Sequence, residues 1–324
     1  MFNSFSRRKL GLLAVSLTLG SGLAKAETFP AKPMTMVVPF AAGAATDRAA
    51  RSIAKQLEKQ LGQTFVIENV AGASGTLGAK RLLRSQADGY TIMLGTNNDL
   101  VIGQAVMKPG YTLDDFTPLA RTGLDMTVLV AHPSFPAQNA DEFVRMARSA
   151  AAPIQIGVPG QATMQTFGAN LLADAGDFKI QTVPYKAGAP LVTDLLGGQI
   201  QLGTIALSSV LPQIRAGKLK AIGVLSDRRH SGAPDIPTVN EGQMLKGVNA
   251  DLWVAVVAPK GLPPAVSQRF RDALGKIMAD PVFRSDELRA GFMIPDIQTP
   301  MQTSQFMAQE YRRLKTLIDS TKLD

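Results

Sequence analysis

The chain of 324 residues has no cysteine, two histidines, one tryptophan and only 6% aromatic residues. Without cysteine, a disulfide framework, a thiolate zinc site, an iron–sulfur cluster, a thiol nucleophile and a lipid-attached N-terminal cysteine are all excluded. With His132 and His230 as the only imidazoles, a Ser-His-Asp relay or a two-histidine metal centre would need residues set beside turn formers, where both are expected to face solvent. Past the first thirty residues, no apolar run approaches the ~20 residues that cross a bilayer as a helix. No Walker-type Gly-Lys-Ser/Thr follows a strand-like run, and Gly72, Gly75 and Gly78 are wrongly spaced for the dinucleotide fingerprint Gly-x-Gly-x-x-Gly. The expectation is therefore of no catalytic residue, no metal and no cofactor.

What is present begins with charge: 34 Lys+Arg against 26 Asp+Glu, or +8. Met1–Ala26 carries Arg7, Arg8 and Lys9, then an apolar run from Leu10 to Leu23, then small residues at Ala24 and Ala26. This is the pattern of a secretory signal peptide cleaved before Glu27, exported by a Sec or twin-arginine route to the periplasm. Its removal takes away Arg7, Arg8, Lys9 and Lys25 and no acid, leaving 30 bases against 26 acids, or +4. The remaining bases are scattered and not interleaved with aromatics, so no nucleic-acid partner is expected and a membrane surface loses support.

From Met34 onward, short β-rich runs alternate with stretches of helical periodicity, the pattern of an α/β protein with parallel strands. Met34–Phe40 reads as a strand; Thr46 and Asp47 cap a helix whose Ala50, Ile53, Ala54, Leu57 and Leu61 form one apolar stripe ended by Gly62. Further strands are expected at Thr64–Glu68, Thr91–Leu94, Leu124–Ala131, Ile154–Val158, Gln181–Pro184, Gln201–Ala206, Lys220–Leu225 and Leu252–Ala258, the last holding Trp253 in hinge or core. Helices follow at Pro264–Met278, near Glu287 and at Met301–Ile318. The economical arrangement crosses into a second lobe near residue 125 and returns near 250. It gives a signal peptide (1–26), a first lobe (27–125 plus 251–324) and a second lobe (126–250), with a cleft between lobes that closes around a ligand.

In such sheets ligands sit beyond the carboxyl ends of strands. Gly43, Ala44 and Ala45 before one helix, and Gly160-Gln161-Ala162-Thr163 before another, let backbone N–H groups approach an anion, at helix starts that carry about half a positive charge. Small residues in such loops also serve simply to make tight turns. By residue type alone, Thr46, Thr96, Thr163, Thr166 and Ser208 are equally caps, and Asp47 is a first-turn helix acid.

Pro39-Phe40-Ala41-Ala42-Gly43 with Asp47, Gly72–Ala79, Asp88-Gly89-Tyr90, Val183-Pro184-Tyr185-Lys186, Leu195–Gln199, Pro237–Glu241 and Trp253 followed by Ala258-Pro259 occur in that order. This ordered set resembles the Bug family of periplasmic solute-binding receptors, the extracytoplasmic components of tripartite tricarboxylate transporters, from about Phe29 to Asp324. The resemblance implies a type II periplasmic-binding-protein fold, with two α/β lobes joined by two crossing segments around a central ligand cleft. It implies a non-enzymatic receptor that captures a small organic carboxylate and delivers it to membrane permease subunits, acting as a monomer. A sensing protein without transport, or an exported hydrolase or oxidoreductase, is the alternative.

Carried over by position, ligand-binding residues are Phe40, Ala41, Ala42 and Gly43 with Thr46 and Asp47, then Thr96 and Asn97 from the first lobe. The second lobe adds Gly160, Gln161, Ala162, Thr163 and Thr166, with Ala206, Leu207 and Ser208 at the next strand end. The family's loop Ser-Pro-Gly-x-Gly-Ser-x-x-His reads here Val158–Thr166, with Thr163 keeping a hydroxyl and Thr166 replacing the histidine. Ala44 replaces the glycine that follows Gly43, and Ala206 stands where an aspartate is common. The missing acid implies a carboxylate ligand without an α-ammonium group.

Overall fold

The computed structural model describes residues 29–320, so the signal-peptide assignment lies outside the described residues. The first half-sheet unit is β1 (Met34–Val38), α1 (Ala45–Leu61), β2 (Phe65–Asn69), α2 (Thr76–Leu83), β3 (Thr91–Thr96), α3 (Gly103–Met107) and β4 (Phe116–Asp125). A second series follows: β5 (Thr127–Ala131), α4 (Ala140–Ser149), β6 (Ile154–Val158), α5 (Met164–Gly176), β7 (Ile180–Pro184), α6 (Gly188–Leu196), β8 (Leu202–Ala206), α7 (Leu207–Arg215) and β9 (Lys220–Val224). The chain ends with β10 (Leu252–Pro259), α8 (Pro264–Ala279), α9 (Pro281–Arg289) and α10 (Pro300–Ser320).

The strands form two five-stranded sheets of matching design, ordered β2-β1-β3-β10-β4 and β7-β6-β8-β5-β9. In each, three strands run parallel and the fourth position is antiparallel to its neighbours. That antiparallel strand is always the one that has just arrived from the other lobe: β10 in the first sheet, β5 in the second. The sheets are thus mixed, where the sequence pattern predicts parallel strands, because a strand entering directly from the neighbouring lobe has no crossover helix to turn it around. The run Leu124–Ala131, expected as one strand, is divided at Met126 between the two sheets.

Strands buried on both faces explain the continuous apolar runs. In β1, Val37 faces the core under α2 and α10, whereas Met36 and Val38 face the core under α1, α8 and α9. The α1 stripe packs as expected, and Gly62 ends the helix with φ 71° in the left-handed region that glycine enters without strain. One core cluster continues from the first sheet (Val37, Met93, Trp253) into the second (Leu129, Ile156, Leu202), while α6 and α7 cover the far face of the second sheet. His230, expected in solvent, is fully buried and burial pulls its pKa down to about 4; His132 is only half-exposed. The turn around His230 folds inward, where its Nδ1 accepts the Gly232 N–H at 3.1 Å.

Candidate functional site

Four loops lie at the carboxyl ends of β1, β3, β6 and β8. The β1–α1 loop is shaped by Asp47, which is 3% exposed. Its carboxylate accepts the Gly43 N–H (2.9 Å), the Arg51 Nε–H (3.0 Å) and the Asn69 amide (2.9 Å), and Asn69 also donates to the Phe40 carbonyl at 3.0 Å. Burial opposes its ionisation, but the Arg51, Gly43 and Asn69 donors outweigh that and hold its pKa below the ordinary aspartate value. With three donors of its own lobe on it, Asp47 is a tie for the loop. Thr46 is buried in the first turn, Phe40 and Ala41 are half-buried, and Ala42 and Gly43 present their backbone to solvent. The loop rests on α2: a Cβ at Gly78 would lie 2.6 Å from the Pro39 Cα, so only glycine permits that approach.

Beyond β3, Thr96 and Asn97 are both fully buried. The Thr96 N–H and hydroxyl donate to Asp99 Oδ2 at 2.9 and 2.8 Å, and burial raises the Asp99 carboxyl to about 7 against those bonds. Asn97 donates its amide to the Asp251 carbonyl at 3.0 Å, tying this loop to the returning crossing segment. The next residue, Asn98, was not among the expected ligand-binding residues, yet its Oδ1 accepts the Met164 N–H at 2.7 Å across the cleft. Only tertiary placement distinguishes Asn98 from Asn97.

The β6–α5 loop is held by neutral groups. Thr163 caps α5 by accepting the Thr166 N–H at 3.3 Å, and the Thr166 hydroxyl donates to the Gly160 carbonyl at 2.6 Å, with Gly160 at φ 134°. Ala162, Thr163 and Thr166 are buried, Gly160 is half-buried and Gln161 is exposed. No acidic residue occupies the first turn of α5. At the end of β8, Ala206 and Leu207 are buried and Ser208 turns toward the hinge, where its N–H and hydroxyl donate to the two oxygens of Asp125 at 3.2 and 2.5 Å. Burial raises Asp125 to about 6 against those bonds. The expected residues thus sit on four strand-end segments, 40–47, 96–97, 160–166 and 206–208; the 96–98 segment meets the α5 start through Asn98, and Ser208 turns to Asp125 at the hinge.

Two α/β lobes joined by two crossings, with a helix start and a small-residue loop on each side of a cleft, define a two-lobed solute-binding receptor. The chain belongs to the TctC family: residues 49–323 match "Tripartite tricarboxylate transporter family receptor". It is similar to Protein BugT of Bordetella pertussis, 31% identical over 299 residues covering 91% of each chain. Among solved structures it resembles MatC from Rhodopseudomonas palustris with bound malate, with a TM-score of 0.82 and 28% identity, covering 90% of this chain and 100% of that one. It also resembles Rpa4515 of R. palustris with adipate, with a TM-score of 0.86 and 26% identity, covering 90% of this chain and 98% of that one. The protein is accordingly an extracytoplasmic solute-binding receptor rather than an enzyme. Among the described residues, no helix is long and apolar enough to cross a membrane.

Proposed function

We propose that this receptor is exported to the periplasm by its N-terminal signal peptide and captures, as a monomer, a small organic carboxylate lacking an α-ammonium group. Capture is between the Phe40–Gly43 and Gly160–Thr166 loops of a first lobe (27–125 plus 251–324) and a second lobe (126–250). The liganded form then docks on the permease subunits of a tripartite transporter. The observation that carries this reading is the α5 start: a helix N-terminus without a first-turn acid, capped by Thr163, whose Met164 N–H already meets an oxygen acceptor from the opposite lobe at 2.7 Å. A ligand carboxylate is that kind of acceptor with a full charge. The malate and adipate held by the two similar receptors are both carboxylates without an ammonium group, which supports the class. Ala206, where an acid would receive an ammonium, points the same way.

A ligand that touches both lobes favours the closed arrangement by its differential affinity for it. The test is a thermal-shift screen of malate, adipate, succinate and aspartate on refolded mature protein. A ligand at 100 times its Kd stabilises the fold by ~2.7 kcal/mol. Dicarboxylates should raise Tm and aspartate should not; Ala42→Phe, at an exposed loop position, should abolish the adipate shift while leaving the unliganded Tm unchanged. A shift that survives Ala42→Phe moves the site elsewhere, and preference for aspartate removes the ligand class.

A further inference from the structure

One sizeable recess is not formed by the loops above. It is a space of ≈ 1150 Å³ behind the hinge, along the β4 edge of the first sheet, and none of the expected ligand-binding residues lines it. Its walls come from β4, β10, the 284–298 segment and α10 of the first lobe, and from the 227–231 and 247–249 turns of the second.

Four buried polar atoms that line it have no hydrogen-bond partner among the described residues: the donors Arg121 Nε and Trp253 Nε1, and the acceptors Asp251 Oδ1 and Gln298 Oε1. Buried polar groups are satisfied in the great majority of cases, and an orphan costs ~1–3 kcal/mol. Four around one recess mark a place built to receive polar groups from outside the chain.

The donors converge. Trp253 and Ala255 lie on the same face of β10, and Arg121 pairs with Ala255, so Trp253 and Arg121 are diagonal neighbours on that face. Both meet the Phe306 ring of α10: the Arg121 guanidinium lies 4.2 Å from its centroid, and the indole ring packs edge-on with centroids 5.7 Å apart. Three other cations of the recess wall are engaged, Arg313 with Glu310 at 2.8 Å, Arg229 with Glu241 at 2.5 Å, and Arg284 with the Ile294 carbonyl at 3.0 Å, while Arg228 acts on Arg121 as a second positive charge of the recess. Among the described residues Arg121 makes no ion pair; burial, helped by the like charge of Arg228, pulls its pKa down, and Glu310 and Asp296 oppose that only at longer range. On the acceptor side, Asp251 receives the Ser226 hydroxyl on Oδ2 at 3.0 Å and keeps Oδ1 free.

We propose that the recess behind the hinge is a second binding site, for a small hydroxycarboxylate, whose carboxylate is held by Arg121 and the Trp253 indole N–H and whose hydroxyl donates to Asp251 or Gln298. The cation stacked on an aromatic ring fits a planar anion, and the paired acceptors demand a donor on the same ligand. Because both lobes line the recess, its occupant is a bridge between them.

Trp253 is the only tryptophan of the chain and therefore a built-in reporter. The experiment titrates malate, and succinate as its counterpart without a hydroxyl, against Trp253 emission in the mature protein, in Ala42→Phe, in Arg121→Met and in Gln298→Ala. Malate is expected to change the emission saturably in wild type and in Ala42→Phe. Arg121→Met should weaken that response about tenfold or more, the loss of a charge-assisted pair. Gln298→Ala, in a loop outside the helices, should weaken malate about threefold and leave succinate unchanged, which covers the case that Arg121→Met does not fold. A response that disappears in Ala42→Phe and persists in Arg121→Met belongs to the cleft and overturns the second site, as does the absence of any response to malate in both. The adipate thermal shift of Ala42→Phe reads the cleft separately, because adipate lacks the hydroxyl that the recess requires, so failure of one site is distinguishable from failure of the other.

Discussion

The two helix starts of the candidate loops, α1 in the first lobe and α5 in the second, are held by opposite means. At α1, a buried carboxylate, Asp47, gathers a backbone N–H, a guanidinium and an amide into one charged knot. At α5, hydroxyls do the work: Thr163 caps the helix and Thr166 ties back to the Gly160 carbonyl, with no charge involved. A helix start whose positive end is already met by a carboxylate has less to offer an anion than one that is not. In the proposed function, the charge of a ligand therefore falls to the second lobe, and the first lobe shapes and orients it.

Breaking the charged knot should have the largest effect. Asp47→Ala removes the acceptor for Asn69 and Gly43 and should cost about 2 kcal/mol of folding stability, read as the change in urea midpoint at constant m; a loss below a few tenths would mean the loop is held by packing alone. Removing the neutral cap should cost less, about 1 kcal/mol for Thr163→Ala, with Thr163→Ser close to wild type because serine caps equally well. If the serine variant loses as much as alanine, the threonine methyl and not its hydroxyl is what matters. Equal in size but confined to the open–closed balance is Asn98→Ala, which deletes a side-chain bridge from the first lobe to α5. One hydrogen bond of ~1 kcal/mol corresponds to about a fivefold change in the open-to-closed ratio, and spin-label distances across the cleft of the unliganded protein should lengthen accordingly.

The mildest distinction is in pH. Asp47 has its pKa depressed in the folded state, so its contribution is present above the unfolded carboxyl value of ~3.9 and is lost as pH falls through the folded value. Asp47→Asn should therefore make the acid limb of the stability curve shallower, whereas Thr163→Ser should leave its shape unchanged. Equal curves for the Asn variant and wild type would show that the knot does not depend on ionisation.

Helices were the legible part of this fold, since a stripe such as Ala50-Ile53-Ala54-Leu57-Leu61 with Gly62 after it is a local signal and the structure repeats it. The strand β4 was not legible. It carries Pro118, Arg121 and Gly123, which break any run of β formers. Pro118 is tolerated because β4 is an edge strand, and Gly123 is required because a Cβ there would lie 2.0 Å from the Phe292 ring. Neither reason is visible before the sheet is assembled. The same holds for polar burial: Asp99, Asp125 and His230 look like loop and strand-end residues in the sequence and are 0–1% exposed in the structure. The loops of the candidate site were legible through glycine and alanine spacing and family resemblance, but the ties that hold them, Asn69 to Asp47 and Asn98 to Met164, join residues 22 and 66 positions apart.

Only Met126 separates β4 from β5, and on the return path Ala250 is bonded to Leu225 of the second lobe while Leu252 already pairs with Asp125 of the first. The Thr127 hydroxyl donates to the Ala250 carbonyl at 2.7 Å, pinning the two crossings side by side. Two short, antiparallel, mutually bonded links leave few backbone dihedrals in which relative motion can be absorbed. In mechanical terms the joint is a door hinge rather than a ball joint: lobes so connected swing about one axis and do not wander. Ordering them around a solute then freezes few degrees of freedom, and little binding energy is consumed in halting a tumbling partner.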